Sequence, residues 1–143
     1  MIVLDTNVVS ELMRPTPDPP VLSWHARHTI DELAIATTTV MEVRHGILRL
    51  PAGRKRSVLA DRFDVFCRDG VSEIVPFDLD AAEAAAIYLA ERERRGRRLG
   101  DYRDAQIAGI TLRLSQRDGR AATLATRNVA DFIDLQVVNP WNA

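Results

Sequence analysis

Asp5, Glu42 and Asp104 lie far apart along the chain, yet each follows a short apolar run at the edge of a helical segment: MIVLD ends on Asp5, LAIATTTVME on Glu42, and LGDYRDAQIAG carries Asp104. Carboxylates brought together repel and raise one another's pKa. A divalent cation removes that repulsion, and hard oxygen donors suit Mg²⁺ or Mn²⁺. A site of this kind orients a water beside a cation and offsets charge that grows on a neighbouring oxyanion.

Each acid also has a local reading. Asp5-Thr6-Asn7 fits a helix cap, since Asp and Asn are favoured there. Thr39-Val40-Met41-Glu42 fits a capping box, with Thr39 as cap and Glu42 reaching back to its amide. Asp101 and Asp104 repeat that spacing, so Asp101 can cap a helix whose dipole favours Asp104. Convergence separates the two readings. Three independent caps need not face one cleft, whereas a cation site requires it.

The elements that must position these acids alternate between strand and helix. Apolar runs predict strands at Met1–Leu4, Leu33–Thr37, Glu73–Phe77 and Ala122–Ala125, with a short fifth at Gln136–Val138. Helices are expected at Asn7–Met13, from Pro20 to His28, from Thr39 to Leu50, and at Arg54–Arg68, Asp80–Arg95 and Asp101–Gln116. The fold class is therefore α/β, a central parallel sheet of four to five strands with helices on both faces. Ligands in such sheets bind beyond the carboxyl ends of the strands. Asp5 ends the first strand, Glu42 lies in the first turn after the second, and Thr126-Arg127-Asn128 follows the fourth. Asp104 can join them from the first turn of its own helix.

Composition narrows the class further. Residues 1–143 form one domain, and 46% hydrophobic with 27% charged residues is an ordinary soluble balance. The single cysteine, Cys67, excludes an internal disulfide. No apolar run approaches the ~18 residues of a membrane span, and the N-terminus lacks signal-peptide character. A cytoplasmic protein is expected. The net charge of −1 gives no global pull on nucleic acid, but Lys55 is the only lysine among 19 basic residues. Arginine forks grip phosphate bidentately. In the run from Arg92 to Arg98, Arg97 and Arg98 are candidate phosphate contacts; the alternative is a solvated helix end. A glycine-rich phosphate loop does not follow the first strand, which argues against nucleotide binding. A phosphoreceiver module would need a lysine beyond a late strand, and Lys55 lies between two helices.

The segments MIVLDTNVVSELMRP, ATTTVMEVRHGI, DAQIAGI, TLATRNVADF and VVNPW occur in an order that resembles PIN-domain ribonuclease toxins of the VapC type, in their FitB-like subgroup. The likeness spans essentially the whole chain. It implies a three-layer α/β sandwich whose acidic pocket holds Mg²⁺, with Mn²⁺ as an alternative, and hydrolyses RNA phosphodiesters. By position, Asp5, Glu42 and Asp104 match the family's three principal acids and would be the metal ligands. Where some members place a fourth acid after Thr-Arg, this chain has Asn128, and Asp131 follows three residues on; either is a candidate fourth site residue. Thr6, Asn7 and Thr126 are candidate hydrogen-bonders that fix carboxylate orientation. The resemblance also implies a cognate antitoxin whose tail crosses the toxin groove, a homodimer, and higher toxin–antitoxin assembly. Met41, Ile47, Leu48, Leu59 and Phe63 are equally candidates for core, antitoxin and dimer contacts. The competing reading is a catalytically silent PIN-fold protein that binds RNA or an antitoxin, which the Asn128 departure leaves open.

Overall fold

β1 (Ile2–Leu4) is the middle strand of a five-stranded, all-parallel sheet. The computed structural model describes residues 1–132 and 134–143. From β1 the chain enters α1 (Thr6–Leu12) and α2 (Pro19–His25), then returns as β2 (Leu33–Ala36). α3 (Thr37–Leu48) and α4 (Arg54–Asp69) lead to β3 (Glu73–Val75). α5 (Leu79–Arg94) and α6 (Tyr102–Asp118) precede β4 (Thr123–Ala125), and a 3-10 turn at Val129–Phe132 precedes β5 (Val137–Val138). The strand order is β3-β2-β1-β4-β5. Successive connections leave β1 toward β2 on one side, while β4 lies on the other. The carboxyl end of β1 beside β4 is thus a switch point, where a parallel sheet opens a crevice.

Alternation along these strands makes two cores, because successive side chains leave opposite faces. Val3, Ala34 and Ala36 face Ile107, Ile110 and Leu114 of α6. Leu4, Leu33 and Ile35 face Val8, Val9, Val43 and Phe63 on the α1–α4 side. Neither sheet face is left to water, which explains the uninterrupted apolar character of β1 and β2. The expected layers and all five strands are present, the fifth reduced to two residues.

α5 and α6 pack closely because small residues line their contact. A Cβ added at Gly109 would lie 2.4 Å from the Ala81 carbonyl oxygen and 2.7 Å from the Ala85 Cβ. Only a residue without a side chain lets the two backbones approach this far. Asp101 caps α6, its Oδ1 accepting the Arg103 N–H at 2.9 Å. Asp104 therefore lies in the first turn, as the sequence predicts.

α3 departs from expectation. It begins at Thr37, with Ala36 as N-cap and no side-chain cap, so the Thr39–Glu42 capping box does not form. The strand-to-helix junction starts the helix two residues earlier, which carries Thr39 into the fully buried interior. Glu42 moves to the second turn. A capping box instead forms at Thr29 and Glu32, whose Oε2 accepts the Thr29 N–H at 2.7 Å. α2 likewise ends at His25, short of the expected His28.

Candidate functional site

Asp5 is 3% exposed and is held by three donors. The Thr6 N–H reaches Oδ1 at 2.7 Å, while Asn7 Nδ2 and Thr126 Oγ1 each reach Oδ2 at 2.7 Å. β1 and β4 create this arrangement directly: the Asp5 N–H donates to Ala125 O at 2.9 Å, so Thr126 arrives beside the carboxylate. Burial pushes the Asp5 carboxyl up, opposed by hydrogen bonds from Thr126 and Thr6; the Glu42 charge pushes it further up, and the Asn7 bond opposes. Asp5 also caps α1, its carbonyl accepting from Val8 and Val9 at 3.0 and 3.1 Å. The backbone carbonyl and Oδ1 serve the helix start, while Oδ2 is held by Asn7 and Thr126.

Glu42 turns toward the same crevice. Thr6 Oγ1 donates to its Oε1 at 2.8 Å and lies 3.4 Å from the buried Thr39 Oγ1. Freed from the local capping box, the carboxylate is anchored from α1 instead. Its second oxygen meets Arg103 Nη1 at 3.2 Å.

Asp104 accepts no hydrogen bond among the described residues. Its carboxyl is pushed up to about 6, first by burial and then by the negative charges of Asp5, Asp101, Asp131 and Glu42. Asp5 and Glu42 are thus both close enough to Asp104 to act on its charge, although the three do not close into a single ligand cluster among the described residues. Asp131 joins this electrostatic group because the 3-10 turn, with its N–H on Asn128 O at 3.0 Å, carries it toward Asp104. Asn128 is exposed, and its link to the site is a backbone N–H donated to Thr126 Oγ1 at 3.1 Å.

Among the described residues, no three Asp, Glu, His or Cys side chains converge closely enough to share one ion as they stand. The donor set nevertheless fits a hydrated Mg²⁺ or Mn²⁺. Such ions commonly use one or two carboxylates and keep several waters, rather than requiring a closed protein cage. Asp5 and Asp104 are the two carboxylates that could hold such an ion, while the oxygens of Glu42 are engaged by Thr6 and Arg103. The Asp104 carboxyl is raised chiefly by burial and secondarily by its acidic neighbours.

Two arginines near the site were absent from the sequence-based candidates. Arg103 places Nε 2.9 Å from Asp101 Oδ2 while also reaching Glu42. Its signal was a cation in the first turn of a helix, a position the dipole disfavours. Arg127 donates its backbone N–H to Asn7 Oδ1 at 3.1 Å, and its guanidinium lies 5.0 Å from the Trp141 ring centroid. Its signal was a place immediately after β4. Arg97 and Arg98 are exposed, and Arg98 lines a separate cleft of about 340 Å³ with Leu89, Glu93 and Tyr102.

A groove of about 330 Å³ begins at Glu42 and is lined by Met13, Ile47, Leu50 and Leu59, with Arg14 and Lys55 among its cations. The ambiguous apolar residues now divide. Phe63 and Ile47 are buried, whereas Met41 and Leu48 are more than half exposed, at 54% and 59%.

The PIN domain family pattern matches residues 2–127. The VapC ribonuclease Y4jK of Sinorhizobium fredii is 34% identical, over 99% of this chain and 98% of its own length. Toxin FitB of Neisseria gonorrhoeae is 32% identical, with 99% of each chain covered. The crystal structure of FitAcB from Neisseria gonorrhoeae superposes with a TM-score of 0.86 at 31% identity, covering 100% of both chains. With its sheet order, its rim of acids and these full-length likenesses, the chain belongs to the PIN-domain family.

Proposed function

We propose that this protein is the toxin half of a toxin–antitoxin pair, a cytoplasmic Mg²⁺- or Mn²⁺-dependent endoribonuclease. The observation that carries the reading is geometric: Thr6 ties Asp5 and Glu42 together at the carboxyl end of β1, and Asp104 stands in the first turn of α6 beside Arg103, which reaches Glu42. The relatives named as a VapC ribonuclease and as a toxin support the same reading.

The protein's own part begins with Asp5, which Thr6, Asn7 and Thr126 hold in one orientation. Fixed carboxylates need little rearrangement when a cation arrives. Asp104 completes the pair from α6, and Thr6 keeps Glu42 facing them. A Mg²⁺ or Mn²⁺ held by Asp5 and Asp104 would supply Lewis-acid activation of water and charge neutralisation at a phosphodiester. Asp131 is the better fourth acid, since its charge reaches Asp104 while Asn128 supplies none. The groove beside Glu42 offers apolar side chains and cations to an antitoxin tail that covers the acidic rim.

Cleavage of a panel of structured RNAs tests the proposal. Wild type should cut with Mg²⁺ and stop on EDTA addition. Asp5→Asn and Asp104→Asn should each lose at least about 100-fold in rate, the scale of a preorganised electrostatic contact. Full cleavage by either variant would remove its metal role; cleavage by none of the proteins, wild type included, would favour the silent binding protein.

A further inference from the structure

Arg103 couples the rim of the crevice to its carboxylates. Its guanidinium bridges Asp101, with Nε at 2.9 Å, and Glu42, with Nη1 at 3.2 Å. The side chain is 50% exposed and that of Glu42 is 20% exposed. Asp101 does not depend on this bridge for capping, because it accepts the Arg103 backbone N–H separately. Arg103 occupies the second residue of α6, one position before Asp104, where the helix dipole opposes a cation. The acids hold it there against that dipole.

Three physical points decide what such a contact does. An exposed arginine–carboxylate pair is weak, worth about 0.2–1 kcal/mol, so it exchanges readily. A divalent cation entering the crevice competes for the negative charge that Arg103 answers. The freed guanidinium is a planar fork whose donors match two phosphate oxygens. We propose that Arg103 is an exchangeable counter-charge, held on Glu42 and transferred to an RNA phosphate when cation and substrate fill the crevice. This inference rests on the metal-dependent ribonuclease reading above. It adds a substrate-positioning residue on α6 and a link between cation loading and RNA grip.

The two halves of the exchange predict opposite changes from one substitution. Removing the guanidinium removes a competitor, so Arg103→Ala should bind Mn²⁺ about two- to fivefold more tightly by calorimetry, the scale of one exposed ion pair. The same variant should show a KM for RNA raised on the order of tenfold, with kcat at saturating Mn²⁺ within about twofold, as expected for a lost charge-assisted contact. Arg103→Lys keeps the charge but loses the fork. It should return Mn²⁺ affinity to the wild-type value and recover only part of the KM. A purely structural role would instead weaken both cation and RNA binding in Arg103→Ala. That result overturns the inference, as does an unchanged KM or unchanged Mn²⁺ affinity. Asp5→Asn separates the two levels of argument. If wild type binds no Mn²⁺ that Asp5→Asn loses, the metal reading fails and takes the exchange with it. If Asp5→Asn loses the ion while Arg103→Ala matches wild type, the exchange alone is wrong.

Discussion

An ionised Asp104 works against folding. Its carboxyl is pushed from 3.8 to about 6 by burial and by four neighbouring acids, so the folded chain holds this proton more tightly than the unfolded one. Stability from this group is complete below about pH 3.8 and is lost as pH rises through about 6. At neutral pH the penalty, discounted for solvent screening of a partly exposed group, is about 1 kcal/mol. Asp104→Asn should therefore melt about 3 °C above wild type in EDTA at pH 7.5, and the gap should shrink at pH 4.5. Added Mn²⁺ should raise the wild-type Tm and leave the variant nearly unmoved. A variant less stable than wild type at pH 7.5 would show that Asp104 is compensated in a way its carboxyl environment does not indicate. The same residue marks what sequence conveys at this scale. Asp5 and Asp104 were legible because each acid stands beside the strand or helix that positions it. Arg103 was not, because its contact with Glu42 joins distant segments, and local pattern showed only an awkward cation in a first turn.

The element that carries Asp104 depends on its packing against α5. Gly109 faces Ala81 and Ala85 at distances no Cβ tolerates, and the nearest obstacle is a backbone carbonyl that cannot swing aside. Gly109→Ala should separate the two helices and destabilise the fold by about 1–3 kcal/mol, the usual range for overpacking. Thermal unfolding measures the loss, and a weaker Mn²⁺ affinity should accompany it because α6 also carries Asp104. Unaltered stability would mean that the helices shift without consequence for the core. The helices and strands themselves were legible from periodicity, and Gly96 ends α5 through its left-handed φ of 68° as a glycine there suggests. The start of α3 was not. Thr39 and Glu42 have the residue types and spacing of a capping box, but tertiary burial of Thr39 and the end of β2 at Ala36 override that local preference. The true helix start turns Glu42 toward Thr6 and Arg103 instead of back onto its own backbone. Asn128 and Asp131 posed the same difficulty: only the 3-10 turn decides which of them Asp104 senses.

Over the whole molecule, 19 basic and 20 acidic side chains nearly cancel, so the net charge of −1 conceals how the charges are distributed. Asp5, Glu42, Asp101 and Asp131 all add negative charge around Asp104, and on the proposed function such a rim would disfavour an RNA phosphate unless a cation answered it. Long-range attraction must then come from arginines outside that rim. Arg97 and Arg98 follow α5 on the approach to α6, both exposed, and Arg98 opens onto its own cleft. If they hold phosphates, each contact adds about 0.7 to the slope of log affinity against log salt for a single strand. The Arg97→Ala, Arg98→Ala double variant should then bind RNA more weakly at low salt and lose about 1.4 from that slope. Binding is best measured in an Asp104→Asn background, so that cleavage does not consume the probe. Arg103→Ala in the same background tests a different place on the surface, because its contact is expected at the crevice itself. An unchanged slope in the double variant would return Arg97 and Arg98 to a solvated helix end, leaving Arg103 and Arg127 to guide the substrate.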